Sequence, residues 1–292
     1  MKNTISNDSI TFVSDSFNVE PWVLRFNDED VNYFWRPAHL KTLGAEVCFP
    51  LLGFLPDDKY QYDGKEYTMT IHGFVQDREF TVSEKGNAFI KYELVDDDST
   101  YKQFPWHFCF YLTYALEKDS LRTIYRVENR DNKTLFFSVG GHPRYACPIL
   151  AGSKFDEYYI RFEKPESIGN IVKSYGPISE IEKRFSDDGK SIRLDYSLFT
   201  EGCFCFHPYN SQVIYLRNDK NSRGLCIDPG GASHLQFWTR PIDPFLAIEP
   251  FFGSISSRPP KEIDSDWIHK PGIIHIEPGE VYTCGFSVRP LR

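Results

Sequence analysis

Three stretches of the chain carry the residue types that general acid–base chemistry requires. In Leu135 to Ile149, LFFSVGGHPRYACPI, the residues Phe136, Phe137 and Val139 predict a buried strand, which Gly140-Gly141 should break. His142 follows, and Pro143, lacking an N–H, should prevent a return to ladder pairing. An imidazole fixed in this way either caps the strand or serves as an acid–base group, because it titrates near neutrality. The second stretch is Phe237 to Gly253, FWTRPIDPFLAIEPFFG, where the apolar run Phe245 to Ile248 leads into Glu249. A carboxylate in such a strand either points to water at its end, or is buried at a cost that hydrogen bonding or use must offset. The third is Met69 to Phe80, MTIHGFVQDREF. An extended chain there would put His72, Phe74, Gln76 and Arg78 on one face, with Gly73 allowing close approach of a ligand. His72 could equally be a hairpin histidine with its hydrogen bonds satisfied.

The elements around these residues read as strands. The chain has 292 residues, 41% of them hydrophobic and 16% aromatic, with 25 Phe and 17 Tyr, a composition that favours strands over helices. Leu121, Thr123, Tyr125 and Val127 alternate with more polar neighbours, and so do Trp106, Phe108, Phe110, Leu112 and Tyr114. Both patterns have the period of two that marks a strand with one buried face. Tyr62-Asp63-Gly64-Lys65 predicts a tight hairpin, since Asp-Gly tolerates the positive φ angles of a type I′ turn. No long window has helical period, and no composition break marks a linker. The expectation is an all-β protein, one large antiparallel sandwich forming a single domain over residues 1–292.

Charge and cysteine usage narrow the partners. A net charge of −8 with no run of Lys or Arg argues against nucleic acid or an anionic membrane surface. The seven cysteines are an odd number, and the start of the chain is polar, which together predict reduced thiols in a cytoplasmic protein. No apolar run is long enough to span a bilayer. Phosphate loops, HExxH and GxSxG are missing, and no histidine pair has metal-ligand spacing, so no catalytic metal is expected.

Taken in order, HGFVQDREF, FFSVGGHPRY and FWTRPIDPFLAIEPFFGS resemble the aldose 1-epimerase (galactose mutarotase) family, in particular its LacX-type branch. CFPLLGFLPDDKYQYDGKEY, FPWHFCFYLTYAL and KPGIIHIEPGE extend the likeness over residues 49–289. The resemblance implies a β-supersandwich of the galactose mutarotase-like type, with an open carbohydrate cleft. It also implies that Glu249 is the base, His142 the acid and His72 a second catalytic histidine, acting on a hexose without a cofactor. Gln76, Phe54, Arg78 and Trp238 are the expected substrate contacts, and a monomer or homodimer is expected. The chain departs from the family pattern at three places: Phe54 and Gln76 stand where relatives usually carry Arg, and Gly202 where many carry Asp. Arg78 could compensate if it shares a face with Gln76. Two alternatives therefore accompany an aldose 1-epimerase: a sugar-binding or regulatory relative with little turnover, and a hexose-6-phosphate 1-epimerase. The latter would need Arg36, Lys59, Arg78 and Arg240 to converge on the cleft.

Overall fold

Alternating buried and open positions organise the long strands. In Ser120–Asn129, the residues Leu121, Thr123, Tyr125 and Val127 are buried, while Arg122 is exposed. Phe108–Glu117 buries Phe108, Phe110, Leu112 and Tyr114 in the same way. The computed structural model describes the chain except residues 38, 45, 175–177, 201, 241–242 and 257–264, with the side chains at 173, 174 and 178 also left out. Among the described residues these strands build an antiparallel nine-stranded sheet, running from Ser191–Arg193 at one edge to Thr81–Lys85 at the other. A seven-stranded sheet contains Cys203–Phe206, His234–Trp238, Phe245–Phe252, Val139–Gly141, Arg144–Ala146 and Val47–Cys48. A three-stranded sheet is formed by Lys2–Ser6, Ile10–Asp15 and Pro21–Phe26. Among the described residues the α-helices are short, Asp98–Tyr101 and Ile178–Arg184, and none is long and apolar enough to cross a membrane. The all-β expectation holds.

The core lies between the two large sheets. Phe49 stacks on Phe110 with ring centroids 4.8 Å apart, and packs against Phe108 and Phe137. Phe245–Phe252 is buried on both faces. Its Leu246, Ile248 and Phe252 belong to this main core, whereas Phe245 and Ala247 pack on the opposite side with Trp35 and Trp238. Glu249 shares the parity of Phe245 and Ala247, and so turns away from the core, toward the outer face of the sheet.

The structure corrects two expectations about the stretch before His142. Gly140 and Gly141 do not break the strand; they lie in Val139–Gly141. They are glycine because a Cβ on Gly140 would stand 2.4 Å from the Phe251 ring, and one on Gly141 2.7 Å from the Phe286 ring. Nor does Pro143 end the pairing. Phe245–Phe252 pairs with Val139–Gly141 on one side of the proline and with Arg144–Ala146 on the other. A proline costs one donor, and the ladder resumes beyond it. The hairpin at Asp63-Gly64 forms as expected, with φ of 49° and 70°.

Candidate active site

The register of the cleft sheet decides which side chains meet. Val139 is opposite Phe252, Gly140 opposite Phe251 and Arg144 opposite Ala247, one unbroken register. Continued through the gap, that register sets His142 directly across from Glu249. On the other flank Gln236 is paired with Glu249, and Trp238 with Ala247. The pairing Gly140↔Cys48 and Gly141↔Val47 brings Glu46 beside His142, whose N–H donates to the Glu46 carbonyl at 2.8 Å. One row across four strands thus reads Gln236, Glu249, His142, Glu46. The next row reads Trp238, Ala247, Arg144. Opposed cross-strand side chains stand close enough to interact.

Glu249 is fully buried, and Gln236 Nε2 donates to its Oε2 at 2.7 Å. Its Oε1 lies 3.4 Å from His142 Nε2. A strand-end glutamate pointing to water is thereby ruled out. His142 is buried beside Trp238, which meets it edge to face at 5.3 Å, and His72, at 5.5 Å. Burial, and then the positive charge of Arg144, hold the His142 imidazole well below its usual pKa.

His72 reaches this place through a turn. Its own φ is 63° and that of Gly73 is 80°. A Cβ at Gly73 would stand 2.1 Å from the Phe49 carbonyl oxygen, so the close approach that glycine permits here is to backbone. The His72 N–H donates to the Gly53 carbonyl at 2.9 Å, and the Gly53 N–H donates to His72 Nδ1 at 3.2 Å. With Nδ1 fixed as the acceptor, the proton of a neutral ring sits on Nε2.

These side chains open on a cleft of about 330 Å³, at the small end of the roughly 300–1,000 Å³ usual for ligand sites. His72, His142, Gln236, Trp238 and Arg144 line it, together with Phe54, Gln76, Leu43, Ile71 and Gly202. Glu249 is fully buried behind two of the lining residues, within reach of His142 Nε2 and Gln236 Nε2. Gln76 spends its amide on the carbonyls of Ile71 and Gly73, at 2.9 and 3.1 Å.

Arg78 does not join them. Val75–Asp77 is a 3-10 turn, not a strand, so Gln76 and Arg78 share no face. The Arg78 guanidinium donates to Ser99 Oγ at 2.6 Å, and the residue does not line the cleft. The other cations considered for a phosphate are committed elsewhere as well. Arg36 pairs with Glu20 at 2.9 Å, Lys59 with Glu66 at 2.7 Å and Arg240 with Asp243 at 2.7 Å.

Two features of the site escaped the sequence reading. Arg144 lines the cleft and forms a buried ion pair with Glu46. Gln236 holds the Glu249 carboxylate. Their partners are 98 and 13 residues away in the chain, and only strand register reveals them. The spacing His142-x-Arg144 was the one local signal, because residues two apart on a strand share a face.

Comparison with known proteins agrees with this architecture. The aldose 1-epimerase family model matches residues 54–289. Protein LacX, plasmid, of Lactococcus lactis subsp. lactis is 30% identical over 278 residues, covering 91% of this chain and 92% of its own. The structure of a galactose mutarotase related enzyme from Lactobacillus acidophilus superposes with a TM-score of 0.86 at 25% identity, covering 99% of this chain and 97% of that one. A galactose mutarotase-like protein from Lactobacillus casei gives a TM-score of 0.81 at 22% identity, over 99% and 100% of the two chains, a likeness of fold.

Proposed function

The chain belongs to the aldose 1-epimerase family, and from that premise we propose that it interconverts the α and β anomers of a hexose. The observation that carries the reading is the approach of Glu249 Oε1 to His142 Nε2, 3.4 Å apart, with His142 lining the cleft. Mutarotation needs a proton taken from the anomeric hydroxyl and another delivered to the ring oxygen on the same carbon. Glu249 takes the first, the bond from C1 to the ring oxygen breaks, and the His142 imidazolium protonates that oxygen. The aldehyde turns about its C1–C2 bond and recloses, with His142 taking back the proton it gave and Glu249 giving back the one it took. A depressed pKa makes the imidazolium a stronger acid. Gln236 orients the carboxylate, His72 donates to the sugar through Nε2–H, and the Phe54 and Trp238 rings pack on its apolar faces. The whole of residues 1–292 acts as one domain of a cytoplasmic monomer or homodimer.

A sugar-binding protein with little turnover is the second reading. It is favoured by an apolar Phe54, a Gln76 whose amide is spent on the Ile71 and Gly73 carbonyls, and the missing acid at Gly202, at positions that all line the cleft. Polarimetry of freshly dissolved α-D-galactose and α-D-glucose separates the two. An epimerase speeds the approach to the equilibrium rotation in proportion to its concentration. Sugar bound with no such acceleration would leave the binding reading standing. A phosphorylated hexose has less support, because the one guanidinium lining the cleft among the described residues is already paired with Glu46.

A further inference from the structure

The Arg144–Glu46 pair stands where neither the acid–base chemistry nor the family match gives it a task. Arg144 is buried beside Trp238 and Phe245, its guanidinium 5.5 and 5.9 Å from their ring centroids. Its side-chain hydrogen bond among the described residues runs from Nη1 to Glu46, and the residue lines the cleft. Trp35 N–H donates to its backbone carbonyl at 2.9 Å, so strand and side chain are both held. It lies two residues beyond His142 on the same face, roughly 6.6 Å along the strand.

That position selects one part of the sugar. Resting on the proposed reaction, in which Glu249 faces the anomeric oxygen and His142 the ring oxygen, the strand that carries His142 runs along the ring-oxygen side of the substrate. The substituent next to the ring oxygen, on the side away from C1, is the exocyclic C6 group on C5. We propose that Arg144, held by Glu46, is the specificity-determining residue that recognises the C6 oxygen and so makes the cleft selective for hexoses over pentoses. The paired carboxylate offsets the guanidinium charge, which suits a neutral hydroxyl better than a carboxylate or phosphate. The arginines that this branch usually carries stand at the positions of Phe54, in a loop, and Gln76, in the 3-10 turn Val75–Asp77. Arg144 is therefore a different contact, carried on a strand.

Two sugar pairs isolate the C6 group, since L-arabinose is D-galactose without it and D-xylose is D-glucose without it. The test compares kcat/KM for each pair, and calorimetric affinity, in the wild type, Arg144→Met, Arg144→Lys and the double variant Arg144→Met/Glu46→Gln. The double variant avoids stranding a buried carboxylate, should the single substitution fail to fold. Loss of a charge-assisted hydrogen bond should lower the hexose-to-pentose ratio of kcat/KM about 10- to 100-fold, mainly through the hexose KM, over and above any change common to both sugars that follows from removing the Arg144 charge beside His142. Arg144→Lys should recover part of the preference. If the hexose-to-pentose ratio stays at its wild-type value, whether or not both values fall, the assignment is overturned. A wild type that binds sugars without converting them fails the catalytic reading, yet its affinities still decide this one. A wild type that binds none of the four overturns both.

Discussion

Burial moves the pKa values of Glu46 and His142 in opposite directions, and both shifts favour the neutral form. It pushes the Glu46 carboxyl up to about 7 although Arg144 is bonded to it, and the neighbouring Glu20 adds to the rise. It pulls the His142 imidazole down, because the charged form is the one that loses water. The sign of the linkage follows. Folded Glu46 holds its proton at pH values where the unfolded chain has released it, so its contribution to stability is full below about 4.5 and is lost as pH rises through about 7. Denaturant unfolding from pH 5 to pH 8 should show the wild type losing stability relative to Glu46→Gln, by at most about 1.4 kcal/mol per pH unit. Parallel curves would contradict the assignment. At this scale the sequence reveals less than half of the cleft. Glu249, His142 and His72 stand out by residue type and motif order. Arg144, Glu46 and Gln236 do not, since the contacts that give them meaning are made across strands.

The turn that carries His72 shows how an element can defeat a periodicity argument. Residues 72 to 78 alternate well enough to suggest a strand, yet the positive φ of His72 and Gly73 bends the chain and a 3-10 turn follows. Arg78 is thereby sent to Ser99, and the compensation for a missing arginine that a strand would have allowed does not occur. Gly140-Gly141 misleads in the opposite direction. Two glycines suggest a break, but here they mark a strand pressed against the rings of Phe251 and Phe286. Glycine reports a close approach or a turn, and sequence alone does not say which. Gly73→Ala combines an unfavourable backbone conformation with a collision against the Phe49 carbonyl, and should cost about 2 kcal/mol or more. It should also displace His72 and depress turnover beyond the loss of folded protein. Chemical denaturation together with activity per folded molecule checks both, and a wild-type midpoint would refute the strain argument.

Across the whole molecule, period-two patterning was enough to predict an all-β sandwich, because burying one face of a strand is a local demand on sequence. Which strands become neighbours is not local. Ser120–Asn129 pairs with Val281–Leu291, and Gly140 lies opposite Cys48, so the chain crosses most of its length to assemble either sheet. The core between the sheets is aromatic at its centre, with Phe49 bridging the cleft sheet to Phe110 of the nine-stranded sheet. Phe110→Ala should remove about 3–5 kcal/mol and leave the acid–base pair in place. A lowered unfolding midpoint with kcat unchanged at low temperature is the expected result, and a selective loss of kcat would mean that the core positions the site more directly.

The central claim is that Glu249 and His142, opposed across one strand pair, move the two protons of ring opening. Its most direct measurement is anomer exchange at equilibrium, read by NMR exchange spectroscopy on D-galactose, in the wild type, Glu249→Gln and His142→Asn. The account predicts exchange well above the uncatalysed rate in the wild type and a loss of about 10²–10⁴-fold in each variant, with sugar still bound. Exchange that persists in both folded variants would contradict it.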